Sequence, residues 1–182
     1  MEIDNTPSQP TAKNFKELLP AVRAFAFDVD GVLSLTVSPM STDGIPLRTA
    51  NIKDGYALQL AAKLGYHIAI ITGGTSESVK RRYEMLGIHD IYMARSTKLD
   101  TYIEWRNSHG LTDNQIVYMG DDMPDIPILR TVGISACPSD AAIDVKNICR
   151  YISPYSGGNG CVRDILEQVL RAQHQWGTDH SW

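Results

Sequence analysis

Short β-branched runs alternate with helix-period segments along most of this chain, and that rhythm constrains the fold more than any single residue. Residues 22–29 read as a strand whose apolar side chains end abruptly in acids and Gly31. Residues 67–71 (HIAII) form a continuous apolar run of the kind shown by a strand buried on both faces. Further strands are expected at 91–93, 116–119, 134–137 and 150–152. Helices are expected between them, over 54–64, 76–86, 98–108, 125–131 and 141–147. Gly65, Gly87 and Gly110 stand where three of these should stop. A last helix over 161–173 carries Val162, Ile165, Leu166, Val169 and Leu170 on one stripe. This order implies a three-layer α/β/α fold around a mostly parallel sheet, with right-handed crossovers. Ligands of such sheets bind beyond the carboxyl ends of the strands, where the chain order reverses.

One segment breaks the rhythm. Residues 34–48 hold Pro39, Gly44 and Pro46 between Val37 and Ile45, which predicts a projecting β-hairpin. Residues 1–20 read as an N-terminal arm with a short helical piece at 14–19, residues 21–173 as a single domain, and 174–182 as a tail. A length of 182 residues suits one domain with a substantial core. The net charge of −4, with both signs scattered, offers no basic stripe for nucleic acid. No apolar stretch approaches the roughly 20 residues that cross a bilayer, and the polar start Met1 to Pro10 does not read as a signal peptide. Cys137, Cys149 and Cys161 are odd in number and lack zinc-like spacing, so buried or half-buried free thiols and a cytoplasmic setting are expected.

The chemistry gathers at strand ends. Asp28 and Asp30 follow the first strand, and Gly120-Asp121-Asp122-Met123-Pro124-Asp125 follows the strand 116–119. If the two strands are neighbours, up to five carboxylates share one cleft. Two unit charges about 4 Å apart repel by roughly 4 kcal/mol at an effective dielectric of 20, against the ~5–15 kcal/mol that holds a domain folded. A cation must therefore sit among them, and magnesium, which takes hard oxygen ligands, is the natural one. Taken singly, each acid is as readily a turn former or a helix cap. Thr72, followed by Gly73-Gly74 and a helix, offers a hydroxyl and backbone N–H groups to an anion. Lys98 opens a helix, where its charge opposes the dipole, so something else must want the ammonium.

In order, Asp28-x-Asp30-Gly31, Thr72, Lys98 and Gly120-Asp121-Asp122-x-x-Asp125 resemble the four motifs of the haloacid dehalogenase superfamily of phosphohydrolases, across about 22–173. Only 44 positions separate Asp28 from Thr72, and 26 separate Thr72 from Lys98, so the chain looks like the capless subclass. Asn51-Ile52-Lys53-Asp54-Gly55-Tyr56, Ile70-Ile71-Thr72-Gly73, Arg82 and the segment 157–163 are similar to the 3-deoxy-D-manno-octulosonate 8-phosphate (KDO 8-phosphate) phosphatases. The resemblance implies a Rossmann-like fold without a cap domain. It also implies a Mg2+-dependent phosphatase of lipopolysaccharide precursor synthesis, acting through an aspartyl phosphate. It implies Asp28 as nucleophile, Asp30 as general acid and base, and metal held by Asp28, the Asp30 carbonyl and Asp121. Thr72 and Lys98 would bind phosphate, with Asp122 and Asp125 supporting. Asn51, Ile52, Lys53, Asp54, Gly55, Gly73 and Arg82 would join Asp30, Thr72 and Lys98 in contacting the sugar phosphate, Lys53 and Arg82 as the cations for its carboxylate. A cytoplasmic homotetramer is implied, with hairpins at the subunit interface, each site roofed by a neighbour, and no nucleic-acid or membrane partner. Gly74 and Asn159 stand where many relatives carry arginine near the substrate, and Arg48, Arg81 and Arg95 are the nearby arginines that could compensate. A phosphatase of a nine-carbon keto-sugar acid phosphate, or of another sugar phosphate, is the neighbouring alternative. A phospho-acceptor signalling domain is the alternative of a different class, although there the acid pair precedes the phosphorylated aspartate.

Overall fold

The computed structural model describes residues 14–178. Residues 1–13 of the expected arm and the end of the tail (179–182) lie outside them. Six strands form one sheet: β1 (Ala24–Phe27), β2 (His67–Ile71), β3 (Asp90–Tyr92), β4 (Ile116–Met119), β5 (Ile134–Cys137) and β6 (Tyr151–Ile152). All pairings are parallel, in the order β3-β2-β1-β4-β5-β6. The order reverses at β1, so its carboxyl end is where a cleft should open.

The sequence of β1, Ala-Phe-Ala-Phe, shows how the layers form. Phe25 and Phe27 face one side with α2 (Ile52–Lys63), α3 (Glu77–Glu84) and α7 (Cys161–Ala172). Ala24 and Ala26 face the other, where small residues leave room for Tyr102 and Trp105 of α4 (Lys98–Ser108) and for α5 (Ile126–Leu129). A short α1 (Phe15–Leu18) precedes the sheet, and α6 (Ile143–Lys146) lies between β5 and β6. No helix among the described residues is long and apolar enough to cross a membrane. Cys137 and Cys161 are buried, Cys149 half-buried, and all three are free thiols.

Three of the departures from expectation have clear local reasons. α2 starts at Ile52 because the Asn51 side chain caps it, accepting from the N–H groups of Lys53 (2.9 Å) and Asp54 (3.3 Å). The helix expected at 125–131 splits into a 3-10 turn, Met123–Asp125, and α5, each carrying a proline. The projecting hairpin at 34–48 carries no regular strand. It closes through one antiparallel bridge, Met40 with Pro46, and through Ser41 N–H to Ile45 O (2.8 Å) and Leu47 N–H to Pro39 O (2.8 Å). Pro39 and Pro46 have no N–H to extend the ladder. Val37, Met40, Ile45 and Leu47 are exposed along it. In the tail, Trp176 packs edge-on against Tyr56 and lies under the Arg163 guanidinium, 4.8 Å from the ring centre.

Candidate active site

The turn after β1 places two acids differently. Asp28 stays in register, its N–H donating to Met119 O (3.1 Å), and its side chain is buried. The chain then folds back sharply, with the N–H groups of Val32 and Ser34 both donating to Val29 O. Gly31 serves this turn twice over. Its φ of +79° is one that L side chains rarely adopt, and a Cβ there would overlap the Asp121 carboxylate. Asp30 is left at the exposed rim, its carboxylate gripped by Arg48 through Nε to Oδ1 and Nη2 to Oδ2, both 2.9 Å.

Lys98 explains its own awkward position. Its buried ammonium donates to Asp28 Oδ1 (2.9 Å) and Asp125 Oδ1 (2.8 Å), attractions stronger than a helix dipole. Asp125 is fully buried and its hydrogen bonds use both oxygens. Oδ1 also accepts from Tyr118 (2.6 Å), and Oδ2 from the N–H groups of Asp121 (3.0 Å) and Asp122 (3.4 Å). Gly120 is required here, since a Cβ would overlap the Asp125 side chain. Burial would lower the Lys98 pKa, but Asp28 and Asp125 outweigh it and the pKa is raised.

One ammonium does not balance this many acids. Burial first, then the Asp125 charge, push the Asp28 carboxyl up to about 7 despite Lys98. Burial and the charges of Asp28 and Asp125 push Asp121 to about 7 as well. Oxygens of Asp28, Asp121 and Asp125 lie within 4.8 Å of one another. Of the three, Asp125 is committed to protein donors, which leaves Asp28 and Asp121 for an ion. An all-oxygen set with surplus negative charge fits a hard divalent cation.

Around this cluster lies a cleft of about 530 Å3, lined by Asp28, Asp30, Thr72, Gly73, Lys98 and Asp121 among others. Asp122 and Asp125 also border it, as do Thr36, Gly74, Arg95 and Ser96. Thr72 is held at the end of β2 by its N–H to Tyr92 O (2.9 Å), and its hydroxyl oxygen accepts from Gly74 N–H (3.1 Å). The remaining expected contact residues lie elsewhere. Asn51, Ile52, Lys53, Asp54, Gly55 and Arg82 do not line this cleft. Asn51 and Lys53 border a second groove beside α7. Asp54 is buried; Oδ1 accepts from the Arg163 N–H (2.7 Å) at the start of α7, while Oδ2 has no hydrogen-bond partner. Burial, opposed by Arg163, raises its pKa to about 6. The Arg82 guanidinium lies against Gly55, whose missing Cβ makes room for it. Tyr118, which reads as one more core aromatic, is a residue that sequence reasoning did not place in the site; Arg48, considered only as a stand-in for the missing arginines, instead pairs with Asp30, 18 residues away.

The haloacid dehalogenase-like hydrolase family model matches residues 85–165. The 3-deoxy-D-manno-octulosonate 8-phosphate phosphatase of Escherichia coli K12 is 33% identical over 152 residues, 84% of this chain and 81% of the relative. The crystal structure of the Yersinia pestis enzyme of that name superposes with a TM-score of 0.84 at 31% identity, over 88% of this chain and 86% of that one. The Moraxella catarrhalis phosphatase, solved with a magnesium ion, a phosphate ion and a KDO molecule, gives a TM-score of 0.84 at 31% identity, over 88% and 92%. The chain belongs to the haloacid dehalogenase-like hydrolases, in the family of the 3-deoxy-D-manno-octulosonate 8-phosphate phosphatases.

Proposed function

We propose that this protein is a Mg2+-dependent phosphatase that releases phosphate from 3-deoxy-D-manno-octulosonate 8-phosphate in lipopolysaccharide precursor synthesis. The observation that carries the reading is the buried Asp28 carboxylate, in contact with Lys98 and crowded by Asp121 at the point where strand order reverses. An oxygen of Asp28 attacks phosphorus in line, the ester P–O bond breaks, and Asp30 gives its proton to the departing sugar oxygen. Water then attacks the aspartyl phosphate, Asp30 takes its proton, and phosphate leaves Asp28 free. Asp28, the Asp30 carbonyl and Asp121 would hold magnesium, which when bound offsets the charge that keeps one anion from approaching another. Thr72 and Lys98 hold the equatorial oxygens, where transition-state charge is spread. Asp125 fixes Lys98, and Asp122 supports the turn.

Since residues 51–55 and Arg82 do not line the cleft of their own chain, their contact with the sugar requires the homotetramer with shared sites that this reading includes. The exposed apolar hairpin at 34–48 supplies a surface for that contact. Cytoplasm is the compartment proposed, since free thiols suit a reducing setting. The deciding experiment is Asp28→Asn, with p-nitrophenyl phosphate and with the eight- and nine-carbon keto-acid phosphates. Loss of all Mg2+-dependent turnover, with kcat/KM highest for the eight-carbon substrate, is expected. Retained turnover removes Asp28 as nucleophile, and a wild type that is phosphorylated once without turnover is a signalling domain. A sedimentation mass of one chain removes the shared site.

A further inference from the structure

Arg48 holds Asp30 in an arrangement that the roles assigned so far do not use. Its Nε and Nη2 donate in parallel to the two oxygens of Asp30, both at 2.9 Å, while Nη1 donates to Pro46 O (3.0 Å) in the hairpin. The Arg48 side chain is only 10% exposed, whereas that of Asp30 is 48% exposed. A rim carboxylate with this much freedom would otherwise sample several rotamers, and a two-point fork fixes both its position and its plane. The space for that fork comes from Gly74. A Cβ at this position would stand 2.7 Å from Arg48 Nη2 and 3.5 Å from Asp30 Oδ2. Gly74 does not have a positive φ. The room that Gly74 leaves is therefore used by the arginine beside it and is not called for by a positive φ.

We infer that Arg48 is the positioning residue of the acid–base step: anchored in the hairpin, it aims the Asp30 carboxyl at the leaving-group oxygen, and Gly74 keeps its place open. The inference rests on the phosphatase reading above. It has a consequence that a general structural role lacks. In the first half-reaction Asp30 acts in its protonated form, one oxygen released from the fork to carry the proton while Arg48 holds the other, and the ester oxygen departs with the bonding electrons and takes that proton. A sugar alkoxide needs that proton, whereas p-nitrophenolate is stable as the anion. Misaiming Asp30 must therefore slow alkyl esters and spare the aryl ester. The parameter to read is kcat/KM, which reports only the steps through leaving-group departure.

The test compares wild type, Arg48→Ala, Arg48→Lys, Gly74→Ala, Asp30→Asn and the Asp30→Asn/Arg48→Ala double variant, each with magnesium. Substrates are 3-deoxy-D-manno-octulosonate 8-phosphate, a carboxylate-free hexose 6-phosphate, and p-nitrophenyl phosphate. Since a general acid contributes about 10²–10⁴-fold, R48A is expected to lose roughly tenfold or more of kcat/KM on both alkyl esters, and less than about threefold on the aryl ester. R48K keeps the charge without the fork and should recover only part of the loss. G74A, by crowding Nη2, should show the same selective pattern to a smaller degree. The double variant should match D30N on the alkyl esters. Equal losses on all three substrates overturn the inference, because Arg48 then serves phosphate binding or the fold. A loss confined to the carboxylated sugar also overturns it, by making Arg48 a substrate-carboxylate binder. If R48A does not fold, R48K and G74A carry the same comparison. Failure of wild type to turn over any ester refutes the phosphatase reading itself, which is a different result.

Discussion

Removing magnesium should make this fold sensitive to pH in a direction opposite to that of most acid-rich proteins. Without an ion, Asp28 titrates near 7 in the folded chain, against 3.8 for an ordinary aspartate. A carboxyl whose folded pKa is raised binds more protons folded than unfolded between those values, so stability falls as pH climbs from about 4 to about 7. Three units at about 1.4 kcal/mol each set an upper bound of about 4 kcal/mol from Asp28 alone. At ~2–4 °C per kcal/mol for a chain of this size, the ion-free protein is expected to melt several degrees lower at pH 8 than at pH 5. Magnesium held by the ionised acids would relieve their repulsion, so its stabilising effect should be large at pH 8 and small at pH 5. Thermal melts with EDTA or with excess magnesium, at pH 5, 6.5 and 8, read this directly as the difference between the paired curves. Asp28→Asn should flatten the dependence. A magnesium shift of the same size at pH 5 and pH 8 would refute the reasoning, because the acids would then not be competing for protons.

Other perturbations test the network piece by piece. Lys98→Met leaves the buried Asp28 and Asp125 carboxylates without their shared ammonium, and should cost about 3–5 kcal/mol by denaturant titration, with activity down by at least about 10²-fold. Tyr118→Phe removes one donor to Asp125; about 1–2 kcal/mol of stability and only a few-fold of activity should be lost. Asp54→Ala removes the acceptor for the N–H of Arg163 in α7, and should cost about 1–2 kcal/mol. That cost should be larger at pH 5 than at pH 8, because burial raises Asp54 to about 6 and the ionised form is the less favourable one. Equal cost at both pH values removes this account of Asp54.

Strand existence was legible because the periodicity is strong. The bounds of β2, β4, β5 and α4 match their expected ranges residue for residue. The two acidic strand ends, Thr72 and Lys98 also come together as expected, since β1 and β4 are neighbours and β2 flanks β1. What the sequence did not reveal depends on distance along the chain. Nothing local marks Tyr118 as a donor to Asp125, since an aromatic residue in a buried strand is also plain packing. Nothing local marks Gly74 as the space for Arg48 either. The helix expected from residue 54 begins two residues earlier because Asn51 caps it, a role that only the N–H groups of Lys53 and Asp54 reveal. The weak hairpin is a similar case: Pro39, Gly44 and Pro46 between Val37 and Ile45 suggested a hairpin, but the same two prolines leave too few donors for a ladder.

The glycine run at 157–158 sets a limit on when this protein can begin to work. Gly157 lies so close to the Gly31 carbonyl that a side chain would overlap it, and Gly158 N–H donates to Val32 O (2.8 Å). The turn that follows Asp28 is thus buttressed by a segment made more than 120 residues later. A growing chain emerging from the ribosome has β1, and its acids, long before it has that support. The nascent protein should consequently carry Asp28 in an unsupported turn through most of its synthesis, and acquire activity only as α7 arrives and docks.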